Sequence, residues 1–330
     1  MEELISFNKV FDQKLLDFVE KEQEKAYKLE PLFLEAILEI KRLIKAGGKR
    51  LRPFLAYKAF KAYQGKSKNI WSACLSLELI HCFALIHDDI MDKPFLRRGE
   101  KTCFRKLGLN KALLVGDLAL SLADQLSPSE AKEYFSKLKL EMIAGQWLDI
   151  TSFKPQNIKE KLTLKIITLK TSDYTFSRPL QIGGVLAGAG QTQINFLNKL
   201  GCKLGFVFQI QDDILDAFGN KKRLGKNIGQ DIKSGKKTLL LAYLIQTLNK
   251  TKDRKLKKNL IKKLGGLKLS QKDFHWIKSL MVELGVLEKA RAKAKLFKSQ
   301  AKEEIFNLKI SKKDKEFFIQ LTDNLLEREK

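Results

Sequence analysis

Apolar residues recur every three or four positions along most of this chain, and that spacing limits the possible folds more than any other feature of the sequence. The first stripe runs through Leu4, Phe7, Phe11, Leu15 and Phe18, which share one face of an amphipathic helix. Similar stripes cover residues 33–44, 54–63, 70–91, 111–123, 130–150, 159–187, 192–218 and 237–248. Strand-like alternation is scarce, and only 6 prolines interrupt the 330 residues. The sequence therefore predicts an all-α protein, and because no low-complexity linker divides it, a single domain over residues 1–330.

The composition indicates a folded protein that attracts anions. Apolar residues make up 44% of the chain, and 63 basic against 38 acidic residues give a net charge of +25. Such a charge attracts nucleic acid, acidic lipid or phosphorylated small molecules without choosing among them. The 4 cysteines show no C-x-x-C spacing, which is typical of reduced thiols in the cytosol. The acidic N-terminus is unlike a signal peptide, and no apolar run approaches the roughly 20 residues that span a bilayer. We therefore expect a cytoplasmic protein with no stable membrane insertion.

One short acidic pattern occurs twice, each time at the end of a long apolar helix. Residues 85–92 read LIHDDIMD, and residues 209–216 read QIQDDILD. Helical positions four apart share a face, so Asp88 lies beside Asp92, and Asp212 lies beside Asp216. Such like charges repel each other, and Mg²⁺ accepts carboxylate oxygens together with substrate phosphates. Two such turns facing each other would hold several Mg²⁺ ions around one diphosphate, whereas a single copy could be an exposed acidic helix end.

Basic residues gather at points that could bind the same kind of anion. Residues 47–53, GGKRLRP, place cations where a helix begins, and helix N-termini favour anions. Arg97 and Arg98 follow the first acidic pattern, where they could form surface ion pairs or bind a diphosphate. Residues 225–237 are rich in Gly and Lys and could equally be a flexible basic loop. Lys170 and Thr171 fall in a mostly apolar helical stretch, where a threonine can bend the helix and expose carbonyl oxygens.

Taken in order, these segments resemble the polyprenyl (isoprenyl) diphosphate synthase family. The order GGKRLRP, DDIMD with RRG, KT, FQIQDDILD and GKxxGxDI is highly specific to that family. The resemblance implies an isoprenoid-synthase-type helical bundle around a deep central cavity, assembled as a homodimer. It further implies a Mg²⁺-dependent trans-prenyltransferase that condenses isopentenyl diphosphate with dimethylallyl, geranyl or farnesyl diphosphate and that binds no nucleic acid.

The resemblance also assigns roles to the matching positions. The diphosphate of isopentenyl diphosphate would be held by Lys49, Arg52 and His81, with Arg98 assisting. Mg²⁺, about three ions per site once substrate is bound, would be held by Asp88, Asp92 and Asp212, with Asp216 near or sharing a metal. The allylic diphosphate would be bound by Arg97, Lys170, Lys226 and Lys236, and the reacting centre would be lined by Thr171 and Gln209. Two residues of a further family pattern, with a mainly structural role, are Gln146 and Asp149.

The length of the product can be argued from helix geometry. The positions four and five before Asp88 lie about 6 to 7.5 Å back along the helix, and they are Ala84 and Phe83. Phe83 would close the floor of the cavity while Ala84 leaves space beside it, unless Phe83 is an ordinary core residue. One aromatic at this place, with no insertion in DDIMD, resembles archaeal-type geranylgeranyl synthases. Geranylgeranyl diphosphate is the expected product, and farnesyl diphosphate is the alternative.

Three other classes of protein remain as alternatives. A catalytically silent subunit of a heteromeric synthase usually lacks one aspartate motif or several cations, and this chain has them all. A terpene cyclase generally lacks the GGKRLRP segment, because it binds a single diphosphate. A basic helical nucleic-acid-binding protein without catalysis would account for the charge of +25 and would bind DNA or RNA in a salt-dependent way, but it gives no reason for two aspartate turns.

Overall fold

The structure, a computed structural model, describes residues 2–151, 154–219, 228–251, 253–264 and 269–327. These residues are almost entirely helical, which confirms the all-α prediction. The helices that precede residue 151 are α1 (Glu2–Leu29), α2 (Leu34–Lys45), α3 (Leu51–Ala62), α4 (Ile70–Asp92), α5 (Cys103–Leu107), α6 (Leu109–Leu126) and α7 (Lys132–Ile150). Those that follow are α8 (Glu160–Ile167), α9 (Arg178–Leu186), α10 (Gln191–Phe218), α11 (Gln230–Lys233), α12 (Leu239–Lys250), α13 (Arg254–Leu264), α14 (Gln271–Glu283), α15 (Val286–Asn307) and α16 (Lys312–Glu327).

Three kinds of shorter element join these helices. A π-helical stretch, here called the π segment, covers Thr168–Ser177. Two short antiparallel strands form a hairpin, β1 (Leu96–Arg97) and β2 (Glu100–Lys101). Single 3₁₀ turns occupy Pro31–Phe33, Ser129–Ala131 and Pro155–Asn157.

The contacts of the backbone divide the chain into two compact units. The first unit comprises Met1–Ser136 and Pro179–Ala189, and the second comprises Lys137–Arg178 and Gly190–Lys330. The interpretation of residues 1–330 as one domain stays a prediction.

The first unit is built around α4. This helix packs along α6 and α3, and α1 packs against α2. The stripe predicted for α1 is confirmed, since Phe7, Phe11 and Leu15 are all buried. The ring of Phe7 stacks on that of Phe11 with centroids 5.3 Å apart and meets Phe54 of α3 edge-on at 5.5 Å. Aromatic pairs of this kind add to the stabilisation that burial itself provides.

The second unit is built around α10. This helix packs along α15 and against the π segment. Two glycines of α10 allow the backbones to approach closely. A Cβ at Gly205 would lie 2.3 Å from Cα of Ser172, and a Cβ at Gly201 would lie 2.4 Å from Cα of Ser177. Any larger residue at these two positions would push the π segment away from α10.

The apolar helix α4 corrects one expectation from the sequence. Among the described residues it is long and apolar enough to cross a bilayer, although no such segment was expected. In its most apolar window 67% of the residues are buried inside the protein, as is usual for a helix of the protein core.

The cysteines are reduced, as the sequence predicted. Three are buried, one is partly buried, and all four are free thiols.

Candidate active site

In the first unit, the GGKRLRP loop is fixed by its middle cation. Arg50 is buried and adopts a left-handed backbone conformation, φ 48°, immediately before α3. Its guanidinium donates to Glu78 of α4 at 2.5 Å, to Asp12 of α1 at 2.8 Å and to the carbonyl oxygen of Ile44 at 2.8 Å. A buried cation with this many partners holds the loop in one place. The loop's other two cations are thereby brought to a defined position on either side of Arg50.

The predicted ligand His81 lies among guanidinium groups. Its pKa is lowered well below its usual value by burial and then by the positive charges of Arg52, Arg98, Arg97 and Arg50. The imidazole is therefore neutral at physiological pH. Two of these arginines are paired with carboxylates, Arg50 with Glu78 and Arg97 with Asp89. The guanidinium groups of Arg52 and Arg98 beside them make this part of the first unit a candidate anion site. Arg52, His81 and Arg98, which the resemblance assigns to isopentenyl diphosphate, thus lie near Arg97, which it assigns to the allylic diphosphate. Those roles stay predictions.

The hairpin between β1 and β2 carries two of these arginines. Both residues of its turn have positive φ, 52° at Arg98 and 82° at Gly99. This is the conformation of the tight turn that best fits the twist of a two-stranded hairpin. The guanidinium of Arg98 lies against the GGKRLRP loop, because a Cβ at Gly48 would be only 2.9 Å from its Nη2 atom. A left-handed arginine is a strained residue of the kind that functional sites retain.

The carboxylates of the first aspartate motif lie in two different environments, one buried and one open to solvent. Asp88, Asp89 and Asp92 fall in the last turn of α4, where the helix dipole disfavours negative charge. The second of them, Asp89, is only 2% exposed. It accepts two hydrogen bonds from Nε of Arg97, both at 2.8 Å, and one from Nη2 at 2.6 Å. The motif therefore orients Arg97 through Asp89, while Asp88 is partly exposed and Asp92 is exposed.

The two residues predicted to set product length differ in their surroundings. The ring of Phe83 is 8% exposed and lies 4.5 Å from the ring of His87. His87 in turn packs against α6, where a Cβ at Gly116 would lie 2.3 Å from the imidazole. Ala84 is partly exposed, and it shares the helix face of Asp88, four positions later. The role of Phe83 as a cavity floor stays a prediction.

In the second unit, the π segment presents Lys170 and Thr171. The sequence predicted a bent helix here, and the structure replaces α-helical hydrogen bonding with π-helical bonding over Thr168–Ser177. Such segments are uncommon and occur frequently at functional sites. Helix α7 approaches it closely, because a Cβ at Gly145 would lie 2.7 Å from the backbone nitrogen of Lys170.

Three side chains form a hydrogen-bond chain between the π segment and α10. The hydroxyl of Thr171 donates to Oε1 of Gln209 at 2.8 Å, and Nε2 of Gln209 donates to Asp213 at 2.8 Å. Asp213 is buried, and burial raises its pKa well above its usual value. Both ends of the Gln209 amide are thus fixed, and its carbonyl oxygen is held beside Thr171.

Two lysines of the second unit share one aspartate. Lys170 donates to Oδ2 of Asp149 at 2.8 Å, and Lys237 donates to the backbone carbonyl of the same residue. The pKa of Lys237 is lowered, mainly by burial, with Lys170 adding to the shift and Asp149 opposing it. Asp149 therefore holds the two ammonium groups close together, which creates a second concentration of positive charge.

The second aspartate motif is tied to the Gly- and Lys-rich stretch that follows it. Asp216 is buried, and it accepts a hydrogen bond from the backbone nitrogen of Asp231 at 3.1 Å. Asp231 pairs with Lys236 at 2.8 Å. Asp212 is partly buried on the same helix. The remaining predicted ligand, Lys226, lies outside the described residues.

The carboxylates present suit Mg²⁺ although they form no ready-made cage. Within the described ranges, no three His, Cys, Asp or Glu side chains come together as a metal site. Mg²⁺ commonly takes one or two carboxylates and completes its octahedron with water and phosphate oxygens. Asp88 with Asp92 at the end of α4, and Asp212 with Asp216 at the end of α10, are two such pairs of hard oxygen donors. The donor set therefore fits Mg²⁺ that arrives with a diphosphate.

Three residues that support the site were not predicted from the sequence. Arg50 was counted among the cations of the GGKRLRP segment without a role of its own, and nothing in that pattern shows that it turns inward. Asp89 and Asp213 could have been found, because a residue that follows a ligand on a helix points about 100° away from it. Each of them therefore had to face the interior of its unit.

Comparison with known proteins agrees with this geometry. Residues 35–271 match the polyprenyl synthetase family. Geranylgeranyl diphosphate synthase of Sulfolobus acidocaldarius is 36% identical over 242 residues, 70% of this chain and 72% of the relative. Geranylfarnesyl diphosphate synthase of Aeropyrum pernix is 31% identical over 303 residues, 87% of this chain and 92% of the relative. A crystal structure of geranylgeranyl pyrophosphate synthase from Corynebacterium glutamicum, complexed with isoprenyl diphosphate and magnesium, superposes with a TM-score of 0.88 at 27% identity, covering 98% of each chain. This chain belongs to the polyprenyl synthetase family.

Proposed function

We propose that this protein is a Mg²⁺-dependent prenyltransferase that adds isopentenyl diphosphate to allylic diphosphates and releases geranylgeranyl diphosphate. The observation that carries the proposal is the retention of both aspartate motifs together with two groups of cations, one around His81 in the first unit and one around Asp149 in the second. Two diphosphate substrates require two such groups. The relatives of Sulfolobus acidocaldarius and Saccharolobus solfataricus, 36% and 32% identical, are both named geranylgeranyl diphosphate synthase.

The first unit would bind isopentenyl diphosphate. Lys49 is exposed on the loop that Arg50 anchors, and it would reach the diphosphate together with Arg52 and Arg98. Arginines can bind phosphate oxygens through two hydrogen bonds at once. His81, being neutral, would donate one further hydrogen bond through an N–H of its ring. This arrangement fixes the orientation of the double bond that attacks.

The allylic diphosphate would be bound by the aspartate motifs and by a separate set of cations. Mg²⁺, about three ions per site, supplies the positive charge that offsets the departing diphosphate. The motifs would hold it through Asp88, Asp92, Asp212 and Asp216. Positive charge would also come from Arg97, Lys170, Lys226 and Lys236. Preorganised positive charge favours the transition state in which the bond from C1 to the diphosphate breaks.

The allylic cation would be stabilised by neutral oxygen atoms. The carbonyl oxygen of Gln209 and the hydroxyl of Thr171 are held together at 2.8 Å. Neither carries a negative charge that would capture the cation. After attack by the double bond, the proton is lost to the departing diphosphate, and the sequence of events therefore needs no protein base.

Product analysis tests the proposal directly. Purified protein is incubated with Mg²⁺, labelled isopentenyl diphosphate and each allylic primer, and the dephosphorylated products are separated by chromatography. We expect a C20 alcohol, no product after chelation of Mg²⁺, and a loss of several orders of magnitude for Asp88→Ala. The matched control is Asp17→Ala, an exposed helical aspartate that accepts a hydrogen bond from Gln13. A C15 or C25 product would replace the proposed chain length, and absence of any condensation would end the proposal.

We also propose that the protein acts as a homodimer. Four large apolar side chains stand on one face of α7 and are exposed, namely Leu140 (66%), Ile143 (51%), Trp147 (69%) and Ile150 (53%). An apolar stripe at this spacing is characteristic of a protein interface. Sedimentation of the wild type is expected to show a dimer, and Trp147→Glu should shift it toward monomer. A wild-type monomer at micromolar concentration would contradict the proposal.

We further propose that the protein is cytoplasmic and that its positive charge serves its polyanionic substrates rather than nucleic acid. Filter binding with duplex DNA and RNA at physiological salt is expected to show no retention beyond that of other basic proteins. Tight and salt-dependent binding would revive the alternative of a nucleic-acid-binding protein.

A further inference from the structure

A buried carboxylate of α2 lies beneath the hairpin in the first unit. Glu39 is 1% exposed. It accepts hydrogen bonds from Nε of Arg42 at 2.9 Å, from Nη2 of Arg42, and from Lys106 of α5 at 3.0 Å. A carboxylate removed from water is stable only with such partners. Its effect is to hold the guanidinium of Arg42 in one orientation.

The same guanidinium bonds to the second strand of the hairpin. Nη2 of Arg42 donates to the carbonyl oxygen of Lys101 at 2.8 Å, and Nη1 donates to the carboxylate of Glu100 at 3.2 Å. Strand β2 is thus attached to α2. Strand β1 is attached elsewhere, because its Arg97 is bound by the buried Asp89. The two strands of the hairpin therefore have separate anchors.

We propose that Arg42 is a positioning residue for the isopentenyl diphosphate site. Anchored by Glu39, it fixes strand β2 and through it the turn that carries Arg98. The turn depends on this anchor, because Arg98 has a strained left-handed conformation and its guanidinium must fit against Gly48. This inference rests on the proposed function, in which Arg98 binds that diphosphate.

The separate anchors make the expected effect selective. If β2 is released, Arg98 is displaced while Arg97 keeps its three hydrogen bonds to Asp89. Binding of isopentenyl diphosphate should weaken, and binding of the allylic diphosphate should not. A purely structural role for Arg42 would instead lower the amount of folded enzyme and leave both KM values unchanged.

The test uses Arg42→Lys in the full chain. Lysine keeps a positive charge beside Glu39, so the fold is retained, but a single ammonium group lacks the planar fork that also reaches β2. We expect the KM for isopentenyl diphosphate to rise by about 10- to 100-fold, as displaced binding groups typically cost, with the KM for the allylic primer within twofold. The matched control is Asp323→Asn, which breaks ion pairs of Lys298 and Lys302 in the second unit and should change neither constant.

A double-variant cycle tests whether Arg42 acts through Arg98. If it does, Arg42→Lys has no further effect in an Arg98→Ala background. Amide hydrogen exchange supplies a readout that needs no turnover, and exchange over residues 96–101 should accelerate in Arg42→Lys. Additive effects in the cycle, equal changes in both KM values, or unchanged exchange would each overturn the inference. Absence of wild-type turnover would defeat the proposed function instead, and the exchange measurement would still decide whether Arg42 holds the hairpin.

Discussion

Replacement of Thr171 by valine tests the chemistry of the reacting centre most sharply. Valine has nearly the same shape but no hydroxyl, so Oε1 of Gln209 loses the hydrogen bond that it accepts at 2.8 Å. The other end of the amide still donates to Asp213 at 2.8 Å. An amide oxygen left without its donor costs about 1 to 3 kcal/mol. If that interaction is needed to orient the oxygen toward the cation, the condensation step should slow by about 5- to 150-fold, at 1.36 kcal/mol for each factor of ten.

The chemical step has to be measured by itself. Rapid-quench single turnovers with geranyl diphosphate and saturating isopentenyl diphosphate report condensation without product release. Thr171→Ser is the matched control, because serine restores the hydroxyl while it removes only a methyl group, and its rate should lie within threefold of the wild type. Thermal unfolding of all three proteins shows whether the π segment is retained.

Two results would contradict the argument. One is a Thr171→Val enzyme whose single-turnover rate is within twofold of the wild type, which would mean that the hydroxyl neither orients Gln209 nor contacts the cation. The other is an equal loss in the serine and valine variants, which would assign the effect to packing of the methyl group against its neighbours.

Three further predictions follow from single contacts. Burial, together with the nearby charge of Glu141, raises the pKa of Asp173 from 3.8 to about 6. The folded state therefore binds that proton more tightly than the unfolded chain, and the unfolding free energy should fall by about 2.5 kcal/mol between pH 4 and pH 7. Urea titrations should show that this fall is absent in Asp173→Asn. Phe83→Ala should yield longer prenyl products, as chromatography of the dephosphorylated alcohols would show. Unchanged product lengths would mean that Phe83 does not form the floor of the cavity. Asp89→Asn should raise the KM for the allylic primer, because Arg97 loses its charged partner, with little change for isopentenyl diphosphate.

The helical periods predicted most of the fold, and the failures have local causes. The stripes over residues 70–91 and 192–218 correspond to α4 and α10, because their apolar faces are long and regular. The hairpin was missed because its strands span only Leu96–Arg97 and Glu100–Lys101. Segments that short show no alternation, and the turn uses an arginine where glycine or asparagine is usual. The apolar length of α4 was missed because Glu78 and His81 interrupt its apolar run, although the helix as a whole is long and apolar enough to cross a bilayer.

The site was less predictable than the fold, because the role of each charged side chain depends on partners that lie far away in the sequence. Lys170 falls in a mostly apolar stretch of the sequence, and its partner Asp149 lies in another helix. Arg50 and Arg52 looked alike within one loop, and only the structure shows that Arg50 is enclosed by Glu78 and the carbonyl of Ile44. No pattern along the chain encodes such a choice, since it depends on which helix happens to pack against the loop.

The paired aspartates show how a repeated motif can serve two purposes with one spacing. Positions one and five of the motif share a helix face, so they can bind one ion together, and position two must point about 100° away into the protein. In α4 that inward residue, Asp89, holds a cation, whereas in α10 the inward residue, Asp213, holds an amide and has a raised pKa. The partners differ in strength, because an arginine offers a full positive charge to a buried carboxylate, whereas the hydrogen bond from Gln209 only partly opposes the effect of burial on the pKa of Asp213. The two motifs therefore share one spacing but not one environment, since Asp92 is exposed and Asp216 is buried. We expect equivalent substitutions at Asp89 and Asp213 to alter different steps of the reaction.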